Sequence, residues 1–297
     1  MSFNSSNSTF PIDNRKYGWC LIKLTLRGWN LLCAILHFLQ FVAALAATLY
    51  FPKARDFRVP IQTSFAAWND TDSNNRGPYT ELKEIGLFPF AYVTLCVPLI
   101  AAIAHLFFYY TYYGSYKDNL ANKKNPIRWI EYSCSSSLMF VLIAFLFGTY
   151  DIITLSAFFT LNVAIMYTGY IMEILNASTN NIVSNTNSTL WNPYFFGFFL
   201  SFIQWFLLCS SIIPNIPQMP GLVWGLVFSY AALYIGFPIN MAWYFWKPEK
   251  IGPIKTMEAE FTRFEKCECH YMILSLVSKS LLLWLIFAGV MQPSNLK

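Results

Sequence analysis

The chain has 297 residues, of which 56% are apolar and only 12% are charged, with a formal net charge of +5. Soluble domains carry about 25% charged residues, so this composition excludes an ordinary cytosolic enzyme, a disordered protein and a nucleic-acid-binding protein. Seven cysteines that mostly lie in apolar stretches imply no disulfide framework. The sequence therefore predicts a multi-pass membrane protein that is not an enzyme.

Seven apolar stretches, taken in chain order, each have about the length that a bilayer requires. Pro98 and Pro238 lie inside two of them, where membrane helices tolerate a kink. The fold class is predicted to be an all-α membrane protein, a single domain over residues 1–297 with seven transmembrane helices. The predicted spans cover residues 28–50, 86–111, 127–148, 152–175, 193–213, 220–244 and 270–290.

Lysine and arginine are divided unevenly between the two sides of this arrangement. Thirteen lie with the N-terminus and the second, fourth and sixth loops, and six lie on the other side. By the positive-inside rule the N-terminus is predicted to be cytoplasmic and the C-terminus extracellular. Of the five N-x-S/T sequons, only Asn69 lies on the predicted outside. A glycan on Asn187 rather than on Asn69 would contradict this orientation.

The longest predicted outside segment is the first loop, residues 51–85. Val59, Ile61, Thr63 and Phe65 alternate with other residues, and turn-forming residues fill positions 69–78. This pattern predicts a β-hairpin. A hairpin here would lie across the outer mouth of the bundle or at a subunit contact, and a solvated loop without a role is the competing interpretation.

Four glutamates among basic residues in the sixth loop predict that the last helix extends beyond the membrane into water: Glu258, Glu260, Glu265 and Glu268. Cys267, Cys269 and His270 follow in the same region. A single C-x-C-H pattern without a second cluster of ligands is a weak metal signal. No metal site is predicted.

Ionisable residues inside the spans are few, and each is a functional candidate because a charge in the bilayer costs at least about 2.5 kcal/mol. Lys279 lies in the middle of the seventh span and Glu131 in the early part of the third. His37, His105 and Glu173 lie in the first, second and fourth spans. With the predicted orientation, Lys279 is near the midplane and the other four are in the cytoplasmic half. The sequence therefore predicts a polar pocket that opens inward and an apolar plug on the outer side.

The free amine of a desolvated lysine is the nucleophile that forms Schiff bases with aldehydes. A protonated Schiff base would need a buried counter-charge, and Glu131 is the best-placed carboxylate. The alternative is a structural Lys279–Glu131 ion pair that ties two helices together. Arg128 is a competing partner for Glu131, because it lies three residues away on the same helical face. For the histidines, hydrogen bonding inside the bundle is the alternative to a functional role.

Two runs of sequence surround Glu131 and Lys279. The first contains Arg128, Trp129, Glu131, Tyr132, Ser133, Ser135, Ser137 and Met139. The second contains Leu274, Ser275, Ser278, Lys279, Ser280 and Trp284. These runs resemble the third and seventh helices of the heliorhodopsins, a family of retinal-binding membrane proteins with inverted topology. Further positions that resemble the family are Asn30, His37, Gln40, His105, Asn162, Gly169 and Glu173. The resemblance covers all seven spans and includes the predicted orientation.

The resemblance implies that all-trans retinal is bound covalently to Lys279 as a protonated Schiff base, with Glu131 as its counterion. Ser275 lies four residues before Lys279, and Ser135 and Met139 lie four and eight residues after Glu131, so each set lines one helical face. Both serines are expected to hydrogen-bond near the Schiff base, and Met139 is expected to pack on the polyene.

The remaining expected contacts of the cofactor come from the fourth, fifth and sixth spans. The resemblance places Asn162 and Gly169 among the cofactor-binding residues. Trp205, Tyr234 and Phe237 are expected to flank the ring of retinal. In a chain with 19% aromatic residues, ordinary packing is the alternative explanation for these three.

The resemblance also implies an inner polar cavity that receives protons, formed here by His37 and His105, with Glu173 nearby. One position departs from the family. Gln204 stands where family members tend to have proline, and this puts the fifth-helix side of the pocket in doubt.

The predicted function is a light sensor in which illumination isomerises retinal and the Schiff base transiently loses its proton to the cytoplasmic-side cavity. Its expected partners are the lipid bilayer, a second copy of the chain in a homodimer, and a cytoplasmic signalling protein of unknown identity. The main alternative is a light-gated proton channel of the type found in viral heliorhodopsins, with Glu131, Glu173, His37 and His105 as the relay. A pump is disfavoured because no carboxylate lies on the outer side of Lys279. A structural membrane scaffold is the remote alternative.

Overall fold

The computed structural model describes residues 24–69, 77–177, 189–213, 216, 221–246 and 253–290. In this part of the chain, seven helices are long and apolar enough to cross a membrane, which confirms the predicted fold class. Two short helices, α2 (Pro52–Arg55) and α4 (Lys117–Ala121), and a π-helical turn (Tyr112–Tyr116) lie in the connections. The seven long helices are α1 (Leu26–Tyr50), α3 (Phe90–Tyr110), α5 (Pro126–Leu146), α6 (Ile152–Ala177), α7 (Asn192–Ile212), α8 (Gly221–Phe245) and α9 (Pro253–Val290).

The long helices form one bundle. Consecutive pairs pack from α1 through α3, α5 and α6 to α7, and α9 closes the bundle by packing against α8, α1 and α3. The outward surface is apolar, and Phe202 and Phe228 are 69% and 67% exposed. In water this surface would be unfavourable, so it matches a lipid environment. Pro98 and Pro238 lie inside α3 and α8, as predicted.

The predicted β-hairpin is present and lies at one end of the bundle, which we call the hairpin face. Strands β1 (Val59–Asn69) and β2 (Gly77–Phe88) pair in an antiparallel register, with an irregularity between Ile61 and Gln62. The Gln62 amide donates to the carbonyl oxygen of Tyr150 (2.9 Å), which fastens β1 to the loop between α5 and α6. The predicted second span begins too early, because residues 86–88 belong to strand β2 and α3 begins only after Pro89.

The opposite end of the bundle carries α4 and the beginnings of α1, α5 and α9, and we call it the α4 face. The expected extension of the last helix is present, since α9 is one continuous helix from Pro253 to Val290. The prediction that its glutamates point into water is wrong for Glu265 and Glu268, which are 0% and 2% exposed. The reason is that α9 packs against α4 at this level, and Glu268 forms an ion pair with Arg128 of α5.

An apolar plug fills the bundle between the hairpin face and the level of Lys279. It is formed by buried side chains of α3, α5 and α9, among them Phe90, Val97, Phe140, Leu282 and Ile286. In the described part of the chain, no Asp, Glu, His, Lys or Arg is buried on the hairpin side of Lys279. The plug predicted from the sequence is therefore present, and it separates the middle of the bundle from the hairpin face.

Candidate functional site

A buried ion pair joins α9 to α5 in the middle of the bundle. The Lys279 amine donates to Oε1 of Glu131, and the two residues are 3% and 8% exposed. The ring of Tyr132 lies beneath the same amine, with its centroid 5.3 Å from Nζ. The pairing predicted from the sequence is therefore formed, and the amine faces both a carboxylate and an aromatic ring.

Arg128 does not compete for Glu131. Its guanidinium binds Glu173 of α6 and Glu268 of α9 instead. Asn125 connects the two carboxylates, because its backbone amide donates to Glu173 (3.0 Å) and its side chain to Glu268 (2.8 Å). The same asparagine caps the start of α5 by accepting from the Arg128 amide (3.3 Å). We call these four residues, Asn125, Arg128, Glu173 and Glu268, the Arg128 cluster.

A cavity of about 370 Å³ begins at Lys279 and runs between α5, α6, α7 and α8. Its volume lies in the range of about 300 to 1,000 Å³ that small-molecule sites have. The wall is almost entirely apolar and aromatic. Of the residues predicted to bind a cofactor, the following line it: Ser135, Met139, Gly169, Trp205, Tyr234, Phe237, Ser275 and Lys279.

Small polar groups lie at the Lys279 end of the cavity. Ser135 and Ser275 are both buried in the wall, at the helical positions expected from their spacing. The hydroxyl of Ser135 has no hydrogen-bond partner among the described residues. A buried hydroxyl without a partner costs stability, so Ser135 is suited to hydrogen-bond a ligand or a water near the amine.

The cavity wall depends on close packing of glycine and aromatic residues. A methyl group placed on Gly169 would come within 2.3 Å of the Trp129 ring, so only glycine lets that ring form the wall. Trp205 contacts Phe140 and Tyr234 with ring centroids 5.9 and 5.7 Å apart. These contacts give the cavity a defined shape before any ligand enters.

Asn162 and Gln204 stand behind the cavity wall rather than in it. The Asn162 amide donates to the hydroxyls of Ser136 (2.6 Å) and Ser137 (3.0 Å), which ties α6 to α5. The Gln204 amide donates to the carbonyl oxygen of Phe158 (3.1 Å) and so ties α7 to α6. Gln204 therefore leaves Trp205 in the wall.

The two histidines form a pair between α1 and α3. Their rings are stacked with centroids 5.8 Å apart, and Nδ1 of His105 is 2.9 Å from Oδ1 of Asn30. Neither ring nitrogen of His37 has a partner among the described residues. Gln40, about one turn further along α1, donates to Ser280, the neighbour of Lys279 (2.7 Å). The histidine pair therefore lies beside the Lys279 segment.

Glu173 is held by the Arg128 cluster and bonds to neither histidine. The grouping of Glu173 with His37 and His105 is thus replaced by two separate polar sites, the histidine pair and the Arg128 cluster. Sequence reasoning missed Glu268, which was assigned to a solvated extension. A signal did exist, because Glu268 lies eleven residues before Lys279, three helical turns away on the same face.

Cys267 and His270 have hydrogen-bonding roles between α8 and α9. The Asn240 amide donates to Sγ of Cys267 (3.3 Å), and Nδ1 of His270 is 3.1 Å from Oδ1 of Asn240. Within the described residues no three His, Cys, Asp or Glu side chains are grouped so that they could hold a metal ion.

Seven spanning helices around a buried lysine–carboxylate pair and an apolar cavity define a membrane protein of the microbial rhodopsin fold. The family model for heliorhodopsin matches residues 26–291, and the chain belongs to that family. Family membership implies a retinal chromophore. A search of curated protein sequences gave no match.

Comparison with solved structures supports the same fold. The rhodopsin of Coccomyxa subellipsoidea, a light-driven proton pump, superimposes with a TM-score of 0.56 at 17% identity and covers 89% of this chain and 96% of its own. A cyanorhodopsin from the cyanobacterium Calothrix gives 0.55 at 9% identity, over 89% and 94% of the two chains. The rhodopsin of Exiguobacterium sibiricum gives 0.51 at 19% identity, over 88% and 96%. At these identities the likeness establishes the fold alone.

The residues present fit retinal. Lys279 offers an amine at one end of the cavity, and Glu131 supplies the negative charge that a cationic linkage at this nitrogen requires. The apolar and aromatic wall suits a polyene. The unpartnered hydroxyl of Ser135 lies where a polar group of the linkage, or a water beside it, would need a partner.

Proposed function

We propose that the protein is a light-sensing photoreceptor that binds all-trans retinal covalently through Lys279, with Glu131 as the counterion. The observation that carries this proposal is the position of the Lys279 amine, buried at one end of an apolar cavity and facing Glu131. When bound, retinal supplies the absorption of light and the isomerisation that follows. Everything else is done by the protein's own side chains.

Glu131 holds the proton at the Lys279 nitrogen in the resting state. In a site this dry, attraction between the two charges is much stronger than in water. Ser135 and Ser275 lie close by in the wall and orient the nitrogen by hydrogen bonding. Met139, Trp205, Tyr234 and Phe237 line the cavity and would confine a bound polyene, which would leave the Lys279 nitrogen as the part free to move relative to Glu131.

The released proton can move in one direction. Among the described residues, no Asp, Glu or His is buried in the apolar plug on the hairpin side, whereas the histidine pair lies beside the Lys279 segment. His37 is suited to accept the proton because both of its ring nitrogens lack partners among the described residues. By the positive-inside rule this side is the cytoplasm, so the proton excursion and the helix movement that follows are directed inward.

The decisive experiment is expression with all-trans retinal and measurement of the visible absorption spectrum, repeated with Lys279→Ala. The parent should show a visible band and the variant none. Ser278→Ala, an adjacent change that keeps the amine, is the matched control and should retain the band. Absence of a band in the parent would overturn the proposal.

A light-gated proton channel is the second candidate. The observation in its favour is the series of ionisable groups between Lys279 and the α4 face, which includes His37, His105, Glu173 and Glu268. Conduction would also need a path through the plug. Voltage clamp under illumination separates the two functions, because a sensor gives no steady current.

We retain the homodimer and a cytoplasmic partner as proposals, to be tested by the mass of the detergent-solubilised protein and by light-dependent co-purification.

A further inference from the structure

Three contacts connect α5 to α9 along one line, and together we call them the α5–α9 seam. They run from the α4 face toward the cavity as an ion pair, an aromatic pair and a second ion pair: Arg128–Glu268, Tyr132–Tyr271 and Glu131–Lys279. All six side chains are buried. The seam therefore links the Lys279 nitrogen, the proposed attachment site of retinal, to the Arg128 cluster at the α4 face.

The aromatic pair has a cation on each side. The Arg128 guanidinium lies 4.2 Å from the centroid of the Tyr271 ring, and Lys279 Nζ lies 5.3 Å from the centroid of the Tyr132 ring. The Tyr132 hydroxyl donates to the carbonyl oxygen of Tyr271 (3.1 Å), so one ring is fastened to the helix that carries the other. Attraction between a cation and an aromatic face strengthens when water is excluded.

The helical spacing makes the seam continuous. Glu268, Tyr271 and Lys279 lie on one face of α9, and Arg128 and Tyr132 are one turn apart on α5. The helix α9 is unbroken between Glu268 and Lys279. A change at the nitrogen can therefore reach the α4 face through the Tyr132 contact.

We propose that Tyr132 is a positioning residue that couples the charge on the Lys279 nitrogen to the Arg128–Glu268 ion pair. While the nitrogen is charged, it attracts the face of Tyr132 and holds the ring under it. When the nitrogen is neutral, that attraction is lost and the uncompensated Glu131 repels the ring face. The Tyr132 hydroxyl then pulls on the Tyr271 backbone, Tyr271 moves beneath Arg128, and the ion pair with Glu268 loosens. Light as the trigger rests on the proposed function, but the coupling itself is a property of the retinal-free chain.

The test is amide hydrogen exchange of α9 residues 263–272 in the retinal-free protein. Replacing Lys279 with Met removes the cation and should speed exchange of these amides about tenfold, within the range of coupling between contacting residues. In a Tyr132→Phe background, which keeps the ring and removes the bond to Tyr271, the same replacement should add nothing. In a Tyr230→Phe background, a cavity tyrosine outside the seam, the tenfold effect should persist.

A fallback variant covers the case in which Lys279→Met alone does not fold. The double variant Lys279→Met with Glu131→Gln leaves no unpaired charge, and it should speed exchange in the same way. Unchanged exchange in the double variant would overturn the coupling. Equal acceleration with Tyr132 and with Phe at position 132 would overturn the role of its hydroxyl.

A second measurement separates this inference from the proposed function. If the protein forms a pigment, illumination should speed exchange of residues 263–272 in the parent and leave them unchanged in Tyr132→Phe. A pigment whose α9 amides respond equally in both proteins contradicts the coupling while leaving the photoreceptor intact. Failure to form a pigment contradicts the photoreceptor and leaves the retinal-free result standing.

Discussion

Lys279 and Glu131 stabilise the fold only as a pair. Each charge was removed from water on folding, and the contact between them offsets that cost. Removing one partner leaves the other charge buried and alone. Because Arg128 is bound by Glu173 and Glu268, it is not available to replace Lys279 as the partner of Glu131.

We therefore expect Glu131→Gln to destabilise the retinal-free protein by about 3–5 kcal/mol, and Lys279→Met with Glu131→Gln to recover most of that loss. Thermal unfolding of the purified variants measures both effects. Glu81→Gln, at an exposed position of β2, is the control and should change little. A double variant no more stable than Glu131→Gln would contradict this account of the pair.

In the pigment, Glu131→Gln should shift the absorption maximum to longer wavelength. The carboxylate stabilises the positive charge while it is localised at the Lys279 nitrogen, which is the ground state, and does so less once excitation moves the charge along the polyene. The visible spectrum of the variant gives the result directly. An unchanged maximum would remove Glu131 as the counterion.

Gly169 determines the shape of the cavity wall, because the Trp129 ring lies where a Cβ would be. Gly169→Ala should displace this ring, destabilise the fold by about 1–3 kcal/mol through overpacking, and weaken retinal binding. Retinal titration and thermal unfolding measure the two effects. The control is Gly225→Ala in α8, where a Cβ meets open space and the helix should be unaffected or slightly stabilised. Equal behaviour of the two variants would contradict the role assigned to Gly169.

At the scale of elements, the Asp151 carboxylate attaches the hairpin to the bundle beside the backbone hydrogen bond between Gln62 and Tyr150. Asp151 accepts from the backbone and hydroxyl of Thr154 (2.9 and 2.8 Å), which caps α6, and from the Ser64 hydroxyl of β1 (3.3 Å). Partial burial raises the pKa of Asp151, but the hydrogen bonds from Thr154 and Ser64 outweigh it, so the pKa lies below its ordinary value.

This lowered pKa makes attachment of the hairpin pH-dependent. A carboxylate with a lower pKa in the folded state stabilises that state above its unfolded pKa of about 3.9, and the contribution is lost as the pH falls through the folded value. We expect hydrogen exchange in β1 to rise as the pH falls from 5 to 3, after correction for intrinsic rates, and to lose this dependence in Asp151→Asn. Asp118→Asn at the α4 face should keep it. Identical profiles for all three proteins would contradict the role of Asp151.

The elements could be predicted to different extents, for physical reasons. In a bilayer, long apolar runs must satisfy their backbone hydrogen bonds within helices, and alternation from Val59 to Phe65 suits a strand. The seven spanning helices and the hairpin were therefore predicted, although residues 86–88 belong to β2 rather than to the second span. The Lys279–Glu131 pair was predictable because the predicted spans contain few ionisable residues that could form an ion pair. The burial of Glu268 could not be predicted, because the polar residues around it indicate a solvent-exposed segment. Its burial depends on how far α9 continues and on which helix α9 packs against.

At the scale of the whole molecule, buried polar and buried apolar side chains are distributed asymmetrically along the bundle axis. The Arg128 cluster and the histidine pair lie between Lys279 and the α4 face, whereas the apolar plug fills the bundle on the other side of Lys279, where the hairpin lies. Moving a proton across the bundle requires acceptors on both sides of the nitrogen. With acceptors on one side, a proton that leaves the nitrogen must return from the side to which it went.

We therefore expect light to produce a transient pH change on the α4 face of reconstituted vesicles and no steady current under voltage clamp at any pH gradient. A proton pump reconstituted in the same way provides the positive control for current.

His37→Gln should reduce the transient pH change, because it removes the unpartnered ring nitrogens beside the Lys279 segment. Gln40→Ala alters the same face of α1 without removing a titratable group and should leave the transient in place. A steady photocurrent that disappears with Glu173→Gln would instead establish conduction through the plug, and the protein would then be a channel.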